Sequence, residues 1–151
     1  MNLLFVCHGN ICRSPMAEFI CKELLRRRGI THWTVRSCAT SREEIGNDVY
    51  PPAQRELRRQ GIPFTHRRAW QITPADYAEA DLVLAMDFNN LRSLRRLLGD
   101  DPQGKIHLLM DYTDTPGEVS DPWYTDRFDI AYQNILAGCE GLLVSLGVPG
   151  E

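Results

Sequence analysis

Residues 3–15 read LLFVCHGNICRSP, and this stretch decides the predicted fold. The apolar run over residues 3–6 is typical of a short buried strand. Pro15 suits the first turn of a helix, and apolar residues then recur at helical spacing over residues 15–28. We therefore predict a strand and a helix joined by the loop of residues 7–14.

Strands alternate with helices along the rest of the chain. The predicted strands are 3–6, 33–38, 82–86 and 105–109, and the predicted helices are 15–28, 51–60, 88–98 and 125–146. This order favours a parallel sheet with helices on both faces, a doubly wound α/β sandwich. Ligands of such sheets bind at the carboxyl ends of the strands, which is where residues 7–14 are expected.

Composition sets broad limits on the protein. The 151 residues are 43% hydrophobic and 25% charged, which fits a single domain over residues 1–151. The net charge of −3 gives no general argument for nucleic acid or an anionic membrane as partner. No apolar run approaches ~18 residues, and no basic start precedes the first apolar run. We therefore expect a cytoplasmic protein.

The loop of residues 7–14 has the features of an anion site. Gly9 and Asn10 are the residue types that most readily adopt positive φ. A tight loop of this kind turns backbone N–H groups inward, and the following helix N-terminus adds to them. The planar guanidinium of Arg13 matches two phosphoryl oxygens. We therefore predict that this loop binds a phosphate group.

Cys7 is the predicted nucleophile of this site. A positive potential that holds phosphate also favours a thiolate, and the Ser14 hydroxyl can donate a hydrogen bond to it. The five cysteines are odd in number and show no C-x-x-C pair, so we expect reduced thiols. A closed zinc site needs four ligands, so Cys7, His8 and Cys12 predict no metal, and we expect no cofactor.

The sequence C-H-G-N-I-C-R-S-P over residues 7–15 resembles the signature loop of the low-molecular-weight protein-tyrosine phosphatases. Further blocks occur in the family's order along almost the whole chain. They are SCAT at 37–40, GIP at 61–63 followed by His66, LAMD at 84–87 and DPWY at 121–124.

The resemblance implies a flavodoxin-like three-layer sandwich with a four-stranded parallel sheet, of the phosphotyrosine protein phosphatase I type. It also implies hydrolysis of phosphotyrosine in a protein substrate, with inorganic phosphate as product. Cys7 would form a phosphocysteine intermediate, Arg13 would bind the phosphate, and Asp121 would act as general acid and then general base. From the residues alone, a structural role for Asp121 in an Asp-Pro turn before a helix is equally well supported. Asp126 is expected in the first turn of that helix.

The resemblance also assigns supporting residues. Asn10, Ser37 and His66 would brace the loop by hydrogen bonds. The expected substrate-binding residues are His8, Gly9, Asn10, Ile11, Cys12, Ser14, Trp123 and Tyr124. The second loop cysteine, Cys12, would be able to form a protective disulfide with Cys7.

The chain departs from the family pattern in two places. Residues 41–45 read SREEI and lack the aromatic side chain that the family often has near residue 43, which leaves the substrate preference open. The segment after His66 is one residue longer than usual. Arginine pairs elsewhere, including Arg95 and Arg96, are interpreted as solvated helix faces.

Three other functions stay open at this point. A protein-arginine phosphatase shares the loop but carries Thr where Ile11 stands. An arsenate reductase of the same fold needs resolving cysteines, and residues 81–137 contain none. A non-catalytic phosphate-binding module would need neither Cys7 nor Asp121.

Overall fold

The computed structural model describes residues 1–150. Its strands are β1 (Asn2–Cys7), β2 (Thr34–Ala39), β3 (Leu82–Ala85) and β4 (Ile106–Leu108). Over these residues they form one sheet in the order β2-β1-β3-β4, and every pairing is parallel. The predicted α/β architecture with a four-stranded parallel sheet is confirmed.

Helices cover both faces of this sheet. They are α1 (Arg13–Arg27), α2 (Pro51–Arg59), α3 (Pro74–Glu79), α4 (Phe88–Leu98), α5 (Pro122–Thr125) and α6 (Phe128–Ser145), with a 3₁₀ helix at Leu109–Tyr112. Most predicted boundaries lie within one or two residues of these, because the apolar runs and the terminating glycines fix them locally.

Alternate side chains of β1 enter two separate cores. Leu3 and Phe5 belong to the larger core, which also contains apolar residues of α1, α2 and α6. Leu4 and Val6 belong to the smaller core, which also contains Leu94 of α4 and is covered by the partly buried Tyr77 of α3. All four side chains are at most 1% exposed. This two-residue alternation holds β1 in the middle of the molecule and fixes the position of the loop that follows it.

The sheet topology creates a crevice at the end of β1. The chain pairs β1 with β2 on one side and with β3 on the other, so the connections leave in opposite directions. Such a switch point is the usual ligand site of an open α/β sheet. The loop after β1 and Asp87, two residues after β3, meet at this edge.

The predicted helix over residues 125–146 is wrong at its start. The short helix α5 ends at Thr125, and the next residue, Asp126, takes a left-handed conformation with φ 59° and ψ 13°. This residue redirects the backbone, and α6 begins only at Phe128. Asp126 therefore does not lie in the first turn of the long helix as expected; Asp129 does.

The sequence interpretation did not include α3. This helix begins with a capping box in which the Thr73 hydroxyl accepts from the Asp76 N–H and the Asp76 carboxylate accepts from the Thr73 N–H. None of its residues is buried, so hydrophobic periodicity could not reveal it. The T-P-A-D sequence of residues 73–76 was the available signal.

Two glycines inside α6 are explained by close packing. A Cβ atom at Gly141 would overlap the carbonyl oxygen of Tyr112, and one at Gly138 would overlap the Leu109 side chain. Glycine costs up to ~1 kcal/mol of helix propensity relative to Ala, but here it permits the 3₁₀ helix to contact α6.

None of the helices in residues 1–150 combines the length and apolarity needed to span a bilayer.

Candidate active site

The loop of residues 7–14 joins β1 to α1, and its backbone turns at Asn10. This residue is fully buried and has φ 59°. Asn tolerates the left-handed region better than most residues because its short polar side chain bonds locally. Of the two loop residues expected to supply positive φ, Asn10 does so.

The Cys7 sulfur lies at the carboxyl end of β1 and is surrounded by hydrogen-bond donors. The Asn10 N–H donates to Sγ at 3.3 Å. The Ser14 hydroxyl lies 3.0 Å from the same sulfur. Hydrogen bonds of this kind stabilise negative charge that forms on a sulfur.

The Asn10 side chain determines which way the Ser14 hydroxyl points. Its Nδ2 donates to Ser14 Oγ at 2.8 Å, so the oxygen accepts there. The single hydroxyl proton can then go to Cys7 Sγ at 3.0 Å or to the Cys38 carbonyl at 3.4 Å. The shorter distance favours donation to the sulfur.

The same amide also connects the loop to the sheet. Asn10 Nδ2 donates to Ser37 Oγ at 3.0 Å, and Ser37 donates to the Glu18 carboxylate at 2.7 Å. The structure therefore places Ser37 where the family resemblance expects a loop support. Glu18, a buried carboxylate on α1, was not anticipated from the sequence; its other oxygen accepts from Lys22.

The structure does not place His66 against the loop, which corrects the expectation for this residue. His66 bonds Asp48 at 2.5 Å, and its side chain is 76% exposed. The next residue, Arg67, reaches the loop instead: its guanidinium donates to both the carbonyl and the side-chain oxygen of Asn10. The longer arginine side chain spans the distance that the histidine, held by Asp48, does not.

Arg67 fixes the orientation of the Asn10 amide. A guanidinium has donors only, so it must face the amide oxygen and thereby directs Nδ2 toward Ser14 and Ser37. Burial lowers the pKa of Arg67 below its usual value, while the negative charges of Glu18 and of ionised Cys7 oppose this. The arginine therefore also adds positive charge behind the sulfur.

We expect an Arg67→Ala variant to lose both stability and phosphate affinity. The change leaves the buried Asn10 oxygen with one long bond to the Trp70 N–H at 3.4 Å. An unsatisfied buried acceptor costs roughly 1–3 kcal/mol of unfolding free energy, and a freed amide disorders the loop. Urea denaturation and calorimetric titration with inorganic phosphate measure the two effects. Arg68→Ala removes an exposed neighbouring arginine as the matched control, and equal losses in both variants would contradict the assignment.

Arg13 begins α1 and is only 4% exposed. Its guanidinium donates to the Val119 carbonyl at 3.0 Å, to Asp87 at 2.8 Å and to Asp121 at 3.4 Å. Burial alone would lower the pKa of Arg13, but ionised Cys7 together with Asp121 and Asp87 raises it above the usual value. The guanidinium is therefore a permanent positive charge beside the sulfur.

Asp87 is a further site residue to which the sequence interpretation gave no role. One of its oxygens caps α4 by accepting from the Asn90 N–H at 2.8 Å, and the other accepts from Arg13. Asp87 thus orients the Arg13 guanidinium from a rigid helix N-terminus. The available signals were its place at the end of a predicted strand and in the LAMD block of residues 84–87; its partner Arg13 lies 74 positions away in the sequence.

Asp121 fits both interpretations left open by the sequence: it caps a helix at an Asp-Pro turn, and its carboxyl group lies in the cleft. Its Oδ1 caps α5 by accepting from the Trp123 N–H at 3.0 Å, while Oδ2 faces Arg13. The carboxyl group is 32% exposed, so it faces the cleft. The turn before the helix is therefore what aims this carboxylate at the site.

These groups lie in a cleft of about 620 Å³. Of the expected substrate-binding residues, His8, Gly9, Ile11, Cys12, Trp123 and Tyr124 line it, while the loop residues Asn10 and Ser14 are fully buried and do not. Trp123 and Tyr124 are 59% and 85% exposed. The Trp123 ring is 5.5 Å from that of Tyr50, which supports it from behind.

The wall near residue 43 is acidic. Glu43 and Glu44 line the cleft where the family often has an aromatic side chain, and Glu43 pairs with His8 at 2.8 Å. The missing aromatic is thus replaced by two carboxylates, so one side of the cleft repels negatively charged groups.

The remaining thiols are buried. Cys21, Cys38 and Cys139 are fully buried, as expected of core residues. Burial, together with the charges of ionised Cys7 and of Asp121, raises the pKa of Cys12 above its usual value, so Cys12 is protonated at neutral pH. Residues 1–150 place no group of three metal-ligating side chains together.

Comparison with known proteins gives consistent matches over nearly the full length. The family model described as "Low molecular weight phosphotyrosine protein phosphatase" matches residues 2–149. The chain is 39% identical to the Bacillus subtilis low molecular weight protein-tyrosine-phosphatase YfkJ, covering 97% of this chain and 96% of that protein. It is 40% identical to the human low molecular weight phosphotyrosine protein phosphatase, covering 94% and 93%. The crystal structure of YfkJ superposes with a TM-score of 0.92 at 39% identity over 97% of this chain and 94% of that one.

Proposed function

Because the chain belongs to the low molecular weight phosphotyrosine protein phosphatase family, we propose that it hydrolyses phosphotyrosine in protein substrates and releases inorganic phosphate. One observation supports this most. The Cys7 sulfur accepts a hydrogen bond from the Asn10 N–H and contacts the Ser14 hydroxyl, and the same cleft holds Arg13, which donates to Asp121 at 3.4 Å.

In the first step, the Cys7 thiolate attacks phosphorus. A P–S bond forms as the P–O bond to the tyrosine breaks. Protonated Asp121 gives its proton to the departing phenolate oxygen. The loop N–H groups and Arg13 stabilise the charge on the three remaining phosphoryl oxygens, and Asp87 keeps the Arg13 guanidinium in place.

In the second step, water attacks the phosphocysteine. The Asp121 carboxylate takes a proton from that water, and the P–S bond breaks to release inorganic phosphate. The departing sulfur becomes a thiolate again. The Ser14 hydroxyl, directed to it by Asn10, stabilises the charge on this leaving group.

The aromatic side chains beside Asp121 suit an aryl substrate. Trp123, supported by Tyr50, and the exposed Tyr124 offer faces on which a phenol ring packs. Ile11 adds an apolar surface at the base of the cleft. A planar ring is thereby held with its phosphate toward Cys7.

A comparison of phosphorylated peptides tests this function. Peptides of one sequence, carrying phosphotyrosine, phosphoarginine or phosphoserine at the same position, are compared by phosphate release. We expect phosphotyrosine to turn over fastest, because Ile11 offers an apolar surface and no hydroxyl to assist a guanidinium leaving group. A Cys7→Ser preparation measures contaminating phosphatase. Faster release from phosphoarginine would identify a protein-arginine phosphatase instead.

A further inference from the structure

Two arginines of α4 line the outer part of the cleft. Arg92 and Arg96 are exposed, and both belong to the wall that this helix contributes. The sequence interpretation treated Arg96 as part of a solvated helix face. Arg96 is exposed as that interpretation expected, and it also lines the cleft, where it can contact a bound ligand.

Neither arginine is paired with an acidic side chain of residues 1–150. Arg92 donates to the Asn89 side-chain oxygen, and Arg96 donates to the Ser93 hydroxyl at 3.4 Å. Both acceptors are neutral, and within residues 1–150 neither guanidinium forms an ion pair. Arg95, between them in sequence, instead pairs with Asp100 at 2.9 Å and does not line the cleft. The wall therefore carries two uncompensated positive charges.

The two cleft walls have opposite charge. Glu43 and Glu44 line the side that the loop after β2 contributes, while Arg92 and Arg96 line the α4 side. Like charges near one another are unfavourable, so a negatively charged group of a bound peptide is repelled by the first wall. It is attracted to the second wall, which gives a bound peptide a preferred direction.

The spacing between Arg92 and Arg96 along α4 is close to the spacing between alternate residues of an extended peptide. Four helical residues rise ~6 Å, and two residues of extended chain span ~6.6–6.8 Å. Acidic side chains at alternate peptide positions can therefore face Arg92 and Arg96 together. Measured from Asp87, which binds Arg13 at 2.8 Å, the two arginines lie ~7.5 and ~13.5 Å along the helix axis. Those distances correspond to about two and four extended residues.

We infer that α4 forms a specificity subsite for acidic residues about two and four positions away from the phosphotyrosine. The inference rests on the proposed phosphatase function and adds the class of peptide that the cleft prefers. Arg92 and Arg96 bind the flanking carboxylates, and the wall of Glu43 and Glu44 sets their direction.

Kinetics with a peptide series test the subsite. Phosphotyrosine peptides carry Glu, Ala or Lys at the second and fourth positions on the N-terminal or the C-terminal side. In the wild-type protein we expect kcat/KM to favour Glu over Ala about three- to tenfold on one side, the size expected from two exposed ion pairs. The preference should shrink when the ionic strength rises from ~0.1 to ~1 M, which shortens the Debye length from about 10 to about 3 Å.

Variants assign the preference to the two residues. In the double variant Arg92→Ala, Arg96→Ala, the ratio of kcat/KM for Glu peptides to that for Ala peptides should fall close to one. In the double variant Arg92→Glu, Arg96→Glu, kcat/KM should be higher for Lys peptides than for Ala peptides. Arg95→Ala, the matched control on the same helix turn, should keep the wild-type ratio. A ratio that is unchanged in the double variant, or lost equally in the control, would overturn the inference. Failure of the wild-type protein to hydrolyse any of the phosphotyrosine peptides would instead reject the proposed function.

Discussion

A Cys7→Ser variant should lose phosphatase turnover by about 10⁴-fold or more, a size typical of removing an enzyme nucleophile. A serine hydroxyl at this position receives the same hydrogen bonds but is a much weaker nucleophile than a thiolate. Neither of the other nucleophilic side chains in the loop can replace it, since the Ser14 hydroxyl is buried and the Cys12 thiol, whose pKa is raised mainly by burial, stays protonated. Release of a coloured phenol from an aryl phosphate measures the loss.

Phosphate binding separates the loss of a nucleophile from the loss of the fold. The loop N–H groups and Arg13 remain in Cys7→Ser, so inorganic phosphate should still bind in a calorimetric titration. Cys139→Ser removes a buried thiol on α6, outside the cleft lining, and serves as the control for cysteine replacement in general. Turnover that persists in Cys7→Ser would remove Cys7 from the mechanism.

An Asp121→Asn variant should hydrolyse phosphotyrosine about 10²–10⁴-fold more slowly, the usual contribution of a general acid or base. Asparagine has nearly the same shape, and its side-chain oxygen can still accept from the Trp123 N–H that caps α5. The variant therefore removes the transferable proton and leaves the local fold in place. The effect should be smaller for aryl phosphates whose leaving phenolate is a weak base.

Asp126→Asn provides the matched control for this change. Asp126 is an exposed carboxylate near the end of the same loop, and its left-handed backbone suits asparagine. Its rate should equal that of the wild-type protein. An Asp121→Asn rate that is unchanged, or one that is matched by Asp126→Asn, would exclude Asp121 as the general acid.

The sheet could be predicted because its signals are local. The two central strands, β1 and β3, contain short apolar runs, and the cores on both faces of the sheet require that pattern. The start of α6 could not be predicted in the same way. Asp126 and the apolar spacing after it are compatible with one continuous helix, and only the left-handed backbone at Asp126 interrupts it.

The candidate site was predictable where its residues are adjacent in sequence. Cys7, Asn10, Arg13 and Ser14 lie in one loop, so their roles follow from spacing and chemistry. Asp87 contacts Arg13 across 74 positions, a pairing that no local pattern shows.

The support behind the loop was also beyond local prediction. Arg67 rather than His66 supports Asn10 because Asp48 holds the histidine and the backbone directs the arginine inward. Which of two neighbouring residues points toward a site depends on the path of the loop, and the sequence does not specify that path.

The account depends on a covalent phosphoryl group on Cys7, and a rapid acid quench tests this directly. The wild-type protein is mixed with excess aryl phosphate, quenched at successive times during turnover, digested, and its phosphorylated peptide is mapped by mass spectrometry. We predict one phosphoryl group on Cys7 during turnover, and none in a Cys7→Ser protein treated identically. Steady turnover with the phosphoryl group on another residue, or with none on Cys7 at any time, would contradict the account.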